Sequence, residues 1–107
     1  MGIYTTKPIK EIDIKEFSGL VKNKKVAISP HAIFRLSNRQ RKVFKEDELI
    51  NIVNKETPRK AYLQENERYA VYYRKSDGYR KLIIEVKNKE TIIITFMDIT
   101  EIPKFDQ

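Results

Sequence analysis

Residues 60–97, KAYLQENERYAVYYRKSDGYRKLIIEVKNKETIIITFM, decide the fold of this chain. Apolar and polar residues alternate here with a period of two, which is typical of strands that have one buried face. Four strands fit the pattern, over 60–64, 68–75, 79–87 and 91–97. Because parallel strands need crossovers of a dozen residues or more, the short polar connections between these strands predict an antiparallel meander.

Two helices are predicted before the meander. Ser29 and Pro30 favour a helix start, because Ser caps free backbone N–H groups and Pro at the first position loses only an N–H that has no partner. This helix is expected from residue 30 to about residue 38 or 41, directly after a short strand over 25–29. A second helix is expected over 46–54, since its acidic first turn suits the positive end of the helix dipole.

These elements predict an α+β fold, in which two helices pack on one face of an antiparallel four- to five-stranded sheet. The length indicates a single domain over 1–107, with an N-terminal extension (1–24), a core (25–97) and a C-terminal tail (98–107). Residues 1–24 predict only a helical turn near 11–17, because Pro8 and Gly19 interrupt both periodicities. The expected core residues are Ile33, Leu36, Leu49, Ile50, Val53, Leu82, Ile84, Ile92 and Ile94.

The net charge of +7 favours a polyanionic partner such as nucleic acid. The chain has no Cys and one His, which argues against zinc sites built from several such ligands, so no metal and no cofactor are expected. No apolar stretch is long enough to span a bilayer, and the first residues lack the apolar core of a secretion signal. We therefore expect a cytoplasmic protein with no membrane partner.

The only histidine, His31, lies near the start of the first predicted helix, and Arg35 and Arg39 follow at intervals of four residues. This spacing places the three side chains on one side of a helix. They lie in a basic region, because residues 17–45 contain eight Lys or Arg and no Asp or Glu. An imidazole beside guanidinium groups suits phosphodiester chemistry without a metal. The alternative is a solvated histidine on an ordinary basic helix face.

The sheet offers further candidates for RNA binding. Tyr72 and Arg74 share one face of their strand, and Arg80 and Lys81 lie on the paired strand. A face with Tyr and cations can stack bases and hold phosphates, although Tyr pairs also stabilise ordinary sheets. The sequence leaves open which face each residue occupies, because a change of register by one residue inverts every side chain.

The order strand, helix, helix and four antiparallel strands resembles the small RelE-like toxin and phage-associated nuclease domains, which are grouped with barnase, colicin-type ribonucleases and EndoU. The resemblance rests on ISPHAIFRLSNR at 28–39, KEDELINIVNK at 45–55 and TIIITFM at 91–97. It covers about residues 26–97. Two departures are Lys45, where such sequences often have a Ser or Thr cap, and residues 1–24, which have no clear counterpart.

The resemblance implies a metal-independent endoribonuclease that attacks RNA, including ribosome-bound RNA, through the ribose 2′-hydroxyl and leaves a cyclic phosphate. His31 would be the acid or base, and Arg35 and Arg39 would clamp the phosphate. The expected RNA-binding residues are Arg41, Lys42, Tyr72, Arg74, Arg80 and Lys81. An acidic antitoxin-like protein would be a further partner.

Two alternatives stay open at this point. The chain could be a nucleic-acid-binding module without catalysis, or a structural domain that binds an acidic partner protein. A catalytic site predicts that His31, Arg35 and Arg39 line a concavity together with at least one of the Tyr, Arg and Lys candidates of the sheet. A merely solvated face predicts a convex surface with no cation of the sheet nearby.

Overall fold

The computed structural model describes residues 7–35 and 46–103. Within these ranges the chain has an α+β fold of three helices and a six-stranded mixed sheet. The helices are α1 (Ile14–Val21), α2 (Pro30–Arg35) and α3 (Glu46–Lys55). The strands are β1 (Pro8–Glu11), β2 (Lys25–Ile28), β3 (Lys60–Gln64), β4 (Tyr69–Lys75), β5 (Gly78–Val86) and β6 (Glu90–Ile99). None of the helices in this part of the chain is long and apolar enough to cross a membrane.

The meander is confirmed, because β3, β4, β5 and β6 pair in sequence as antiparallel neighbours. The sheet order is β1-β3-β4-β5-β6-β2. The prediction of a purely antiparallel sheet of four or five strands is wrong, since β2 pairs with β6 in parallel. Parallel pairing is available to β2 because two helices and three strands separate it from β6, which is far more chain than a crossover needs.

Residues before Lys25 form two further elements: α1 begins within the predicted helical turn near 11–17 and continues to Val21, and β1 was not predicted. Strand β1 lies at the sheet edge, where Pro8 is tolerated because edge positions need no ladder N–H. The Asp13 carboxylate caps α1 by accepting the backbone N–H groups of Lys15 (3.0 Å) and Glu16 (3.3 Å). Phe17, which is 1% exposed, anchors this helix in the core. All four residues of β1 are exposed, so the strand has no alternation of buried apolar and exposed polar residues by which the sequence could have predicted it.

The helices cover one face of the sheet, called the helix face here. Its main cluster joins Phe17, Ala32 and Leu49 from the three helices to residues of the sheet. The sheet residues of this cluster are Val26, Ala61, Val71, Tyr73, Leu82, Ile84, Ile93 and Phe96. A smaller cluster lies on the opposite face, called the second face, and contains Tyr62, Ala70, Tyr72 and Ile83.

Because of a β-bulge in β6, the buried residues of this strand differ from the predicted core residues. Ile83 pairs with Thr95 and Ile84 with Ile93, so Ile94 is the extra residue. The bulge shifts the alternation, so that neither Ile94 nor Ile92 is among the buried residues of the main cluster. Ile33 is also outside it, at 37% exposure, because Ala32 occupies the buried side of α2. Leu49, Val53, Leu82 and Ile84 are buried as predicted, Ile50 packs against the cluster, and Leu36 lies outside the described residues.

We expect Gly→Ala to have opposite effects on stability at positions 19 and 78. Gly78 has a φ of +150°, and a Cβ there would collide with the carbonyl oxygen of Ile99 on the neighbouring strand. Gly78→Ala should lower the free energy of unfolding by about 2–3 kcal/mol. At Gly19 a Cβ meets nothing within 4 Å, and Gly19→Ala should raise it by about 0.5–1 kcal/mol. Urea denaturation measures both, and a loss of stability at position 19 would contradict the packing of α1.

Tyr73 makes stability sensitive to alkaline pH. Burial raises its pKa well above the ordinary value of 10.0, with a smaller contribution from the charge of Glu56. Above about pH 10 the unfolded chain therefore loses a proton that the folded chain keeps, and stability falls by up to about 1.4 kcal/mol per pH unit. Tyr73→Phe should make this decline less steep without changing the stability trend below pH 9, and the raised pKa values of Tyr62 and Tyr72 should maintain the rest of it. Equal slopes for both proteins in denaturation at pH 9–11 would contradict the burial of the hydroxyl.

Candidate nucleic-acid interface

His31 lies in the first turn of α2, on the exposed surface. Ser29 fixes the start of this helix, because its Oγ accepts the backbone N–H of Ala32 (3.1 Å) and donates to the carbonyl oxygen of Ile94 (2.8 Å). The Ser29 backbone N–H also donates to the Ile93 carbonyl (2.9 Å). The predicted cap is thus confirmed, and it ties the beginning of α2 to the bulge of β6.

The other residues of the predicted helical site follow His31 in the sequence. Arg35 is the last residue that the structure describes in this segment, four positions after His31 in the sequence. Arg39, Arg41 and Lys42 lie outside the described residues. The predicted arrangement of these cations around His31 therefore stays a prediction.

Three of the predicted sheet residues share the second face. Tyr72, Arg74 and Lys81 alternate there with residues that point to the helix face. The Lys81 Nζ lies 5.7 Å from the centroid of the Tyr72 ring, and the Arg74 Cζ lies 5.3 Å from that of Tyr79. Both distances are typical of cation–π contacts. Arg74 is exposed, and these contacts leave its guanidinium open to a phosphate.

Burial changes what Tyr72 can do. Its side chain is only 4% exposed, and its ring packs edge-on against Tyr62 with centroids 5.9 Å apart. Burial raises the pKa of Tyr72, and desolvation lowers that of the neighbouring Lys81. A ring enclosed in this way has no free face on which a base could stack. In this structure Tyr72 therefore acts as a core residue of the second face.

Arg80 lies on the helix face, separate from the other three. Its Nε donates to the Asp98 carboxylate (2.9 Å), and Lys75 lies 3.8 Å from the same carboxylate. The predicted site residues of the helix and of the sheet therefore lie on opposite faces of the sheet. Helix α2 packs on the helix face through Ala32, whereas Tyr72, Arg74 and Lys81 lie on the second face. The structure does not bring these three residues together with His31.

Four lysines meet at a place that the sequence did not indicate. We call Lys24, Lys25, Lys87 and Lys89 the lysine cluster. The Lys24 Nζ donates to the Lys87 carbonyl (2.8 Å), and the Lys25 backbone N–H donates to the Lys89 carbonyl (3.2 Å). The parallel pairing of β2 with β6 creates this neighbourhood, and the sequence reveals it only if that pairing is known.

Cations of the lysine cluster have no neutralising partner in the described ranges. Lys25, Lys87 and Lys89 are exposed, and the ion pairs of residues 7–35 and 46–103 are formed by Lys60, Lys75 and Arg80 instead. Glu90 stands beside Lys25 in the strand register without forming an ion pair with it. The cluster therefore presents positive charge to solvent, which attracts polyanions.

No group of three or more His, Asp or Glu residues in the described ranges is arranged to hold a metal ion. Comparison of the chain with the models of known protein families, with curated proteins and with solved structures gives no match.

Proposed function

We propose that this chain is a RelE-like RNA-binding domain that cleaves RNA without a metal ion, with His31 as the proton-transfer residue. One observation carries the proposal: the only imidazole of the chain is exposed in a helical turn that Ser29 fixes against the sheet. A fixed and accessible imidazole can exchange a proton with a bound substrate near neutral pH.

Charge and element order support the same proposal. The net charge is +7, and Lys25, Arg74, Lys87 and Lys89 present exposed positive groups. From Lys25 onward, the described residues 25–35 and 46–103 form a strand, two helices and four antiparallel strands, which is the order on which the resemblance to RelE-like domains rests. The elements β1 and α1 precede this order and are additions to it.

The proposed reaction needs a base, an acid and charge neutralisation. The ribose 2′-oxygen attacks the adjacent phosphorus while its proton passes to a base, and the bond from phosphorus to the 5′-oxygen breaks as that oxygen gains a proton. His31 performs one of these transfers and water can perform the other. Arg35 and Arg39 would neutralise the added negative charge on the pentacoordinate phosphorus, for which the guanidinium fork is suited.

A second candidate function is RNA binding without catalysis. The observation in its favour is the division of the sheet residues, since Tyr72, Arg74 and Lys81 lie on the face opposite to α2. A phosphate held for in-line attack needs contacts from more than one element. If only residues of α2 and the chain that follows it reach the phosphate, binding would occur without efficient cleavage.

The test is incubation of the purified chain with labelled single-stranded RNA in excess EDTA, with and without ribosomes. Cleavage in either arm supports the proposed nuclease. Intact RNA in both arms, together with binding whose affinity falls steeply with salt, supports the second candidate. Absence of both cleavage and binding at low salt contradicts the proposed function and its alternative together.

A further inference from the structure

A cleft of about 400 Å³ lies between the C-terminal ends of α1 and α3. This volume is within the range of sites that bind small molecules. Its lining is mostly polar and includes two amides, two hydroxyls and two amines. The residues that supply these groups are Ser18, Lys22, Asn23, Asn54, Lys55 and Thr57.

The cleft adjoins the lysine cluster through the turn after α1. Lys22 and Asn23 line the cleft, and the next two residues are Lys24 and Lys25 of the cluster. Asn23 has a φ of +64°, a left-handed conformation that lets the chain leave α1 and enter β2 at once. The cleft and the lysine cluster therefore follow one another along the chain at this turn.

The cleft and the lysine cluster differ in charge, so they suit different parts of a ligand. The ends of α1 and α3 that form the cleft carry the negative pole of each helix dipole, and Glu56 adds a carboxylate to the lining. The amines of Lys22 and Lys55 in the same lining offset these negative charges, so the cleft is close to neutral. A neutral group that forms hydrogen bonds suits the cleft, whereas a phosphate is attracted more strongly by the four lysines of the cluster outside.

We propose that the cleft holds one unpaired base of a single-stranded RNA, while the lysine cluster binds the phosphates beside it. The proposal rests on the proposed RNA binding and adds the site where a base is held. The Asn23 and Asn54 amides and the Ser18 and Thr57 hydroxyls can pair with the edge of a base, which is how proteins read unpaired RNA. Strand β2, about 10 Å from Lys25 to Ile28, separates this site from α2 and His31.

The phosphate part is tested by the salt dependence of binding to a 12-residue oligouridylate, measured by fluorescence anisotropy. Lys25→Ala/Lys89→Ala should reduce the slope of log affinity against log salt by about 1.4, because two phosphate contacts are lost and each contributes about 0.7 on a single strand. The matched control is Lys10→Ala/Lys15→Ala, which removes the same charge from exposed positions of β1 and α1. Equal slopes for both variants would overturn the lysine cluster as a binding site.

The base part is tested with an abasic strand of the same length. The wild-type chain should bind oligouridylate about tenfold more tightly than the abasic strand, which is the affinity that one or two hydrogen bonds to a base contribute. Ser18→Leu/Asn54→Leu fills the cleft from two exposed positions and should abolish this preference, whereas Asn51→Leu, outside the cleft on α3, should keep it. Thermal denaturation confirms that each variant is folded.

The outcomes separate the two proposals. A preference that is absent in wild type or survives in the folded cleft variant would overturn the base site, even if RNA binding and cleavage persist. Failure of the wild-type chain to bind either strand at low salt would overturn the proposed function as well.

Discussion

His31→Ala should slow the cleavage of RNA by a factor on the order of 10²–10⁴, which is the usual contribution of a positioned acid or base. The substitution removes the only imidazole of the chain and leaves the fold intact, because His31 is exposed and Ala32 makes the buried contact of α2. The measurement is the single-turnover rate in excess EDTA. His31→Gln, which keeps hydrogen bonding but cannot transfer a proton near neutral pH, should be about as slow.

Lys10→Ala serves as the control for His31, since it changes an exposed residue of β1. It should cleave at nearly the wild-type rate. RNA binding should persist in His31→Ala, so that a loss of rate without a loss of affinity assigns His31 to the chemical step. Equal rates for wild type and His31→Ala would show that the imidazole has no part in cleavage.

Phe17→Ala should lower the free energy of unfolding by about 3–5 kcal/mol, the usual cost of removing a buried aromatic side chain. Phe17 is 1% exposed, and its ring centroid lies 5.8 Å from that of Tyr69 on β4. A decrease of this size is a large fraction of the total free energy of unfolding of a domain of this length. Urea denaturation of Phe17→Ala therefore tests whether α1 is part of the cooperatively folded core.

Phe34→Ala is the matched control for Phe17, because it is the same substitution at a residue that is 67% exposed. Its effect in urea denaturation should stay below about 1 kcal/mol. Similar effects of both substitutions would mean that the first helix is an appendage and not a part of the core.

Local patterns predicted the elements of the meander and the two helices, because these segments carry strong signals. Ser29 and Pro30 mark the start of α2, and the polar turn before Gly78 marks a hairpin. Of the elements without such signals, β1 was not predicted and α1 was predicted only as a helical turn near 11–17. Strand β1 is exposed along its whole length and has no alternation, and α1 contains Gly19, which lowers helical propensity.

Long-range features of the candidate site were beyond local reasoning. A single extra residue in β6 moves Ile92 and Ile94 away from the main core, and nothing in TIIITFM marks where the bulge falls. Alternation along β5 places Arg80 and Lys81 on opposite faces, but only the pairing of β4 with β5 shows that Arg74 shares the face of Lys81. The lysine cluster likewise depends on the pairing of β2 with β6, which joins residues more than 60 positions apart.

The central claim is metal-free cleavage of RNA through the 2′-hydroxyl, and the chemistry of the product ends tests it most directly. RNA incubated with the wild-type chain in excess EDTA, with ribosomes in a parallel reaction, should yield fragments that end in a 2′,3′-cyclic phosphate and begin with a 5′-hydroxyl. Fragments with a 5′-phosphate, or RNA that remains intact in both reactions, would contradict it.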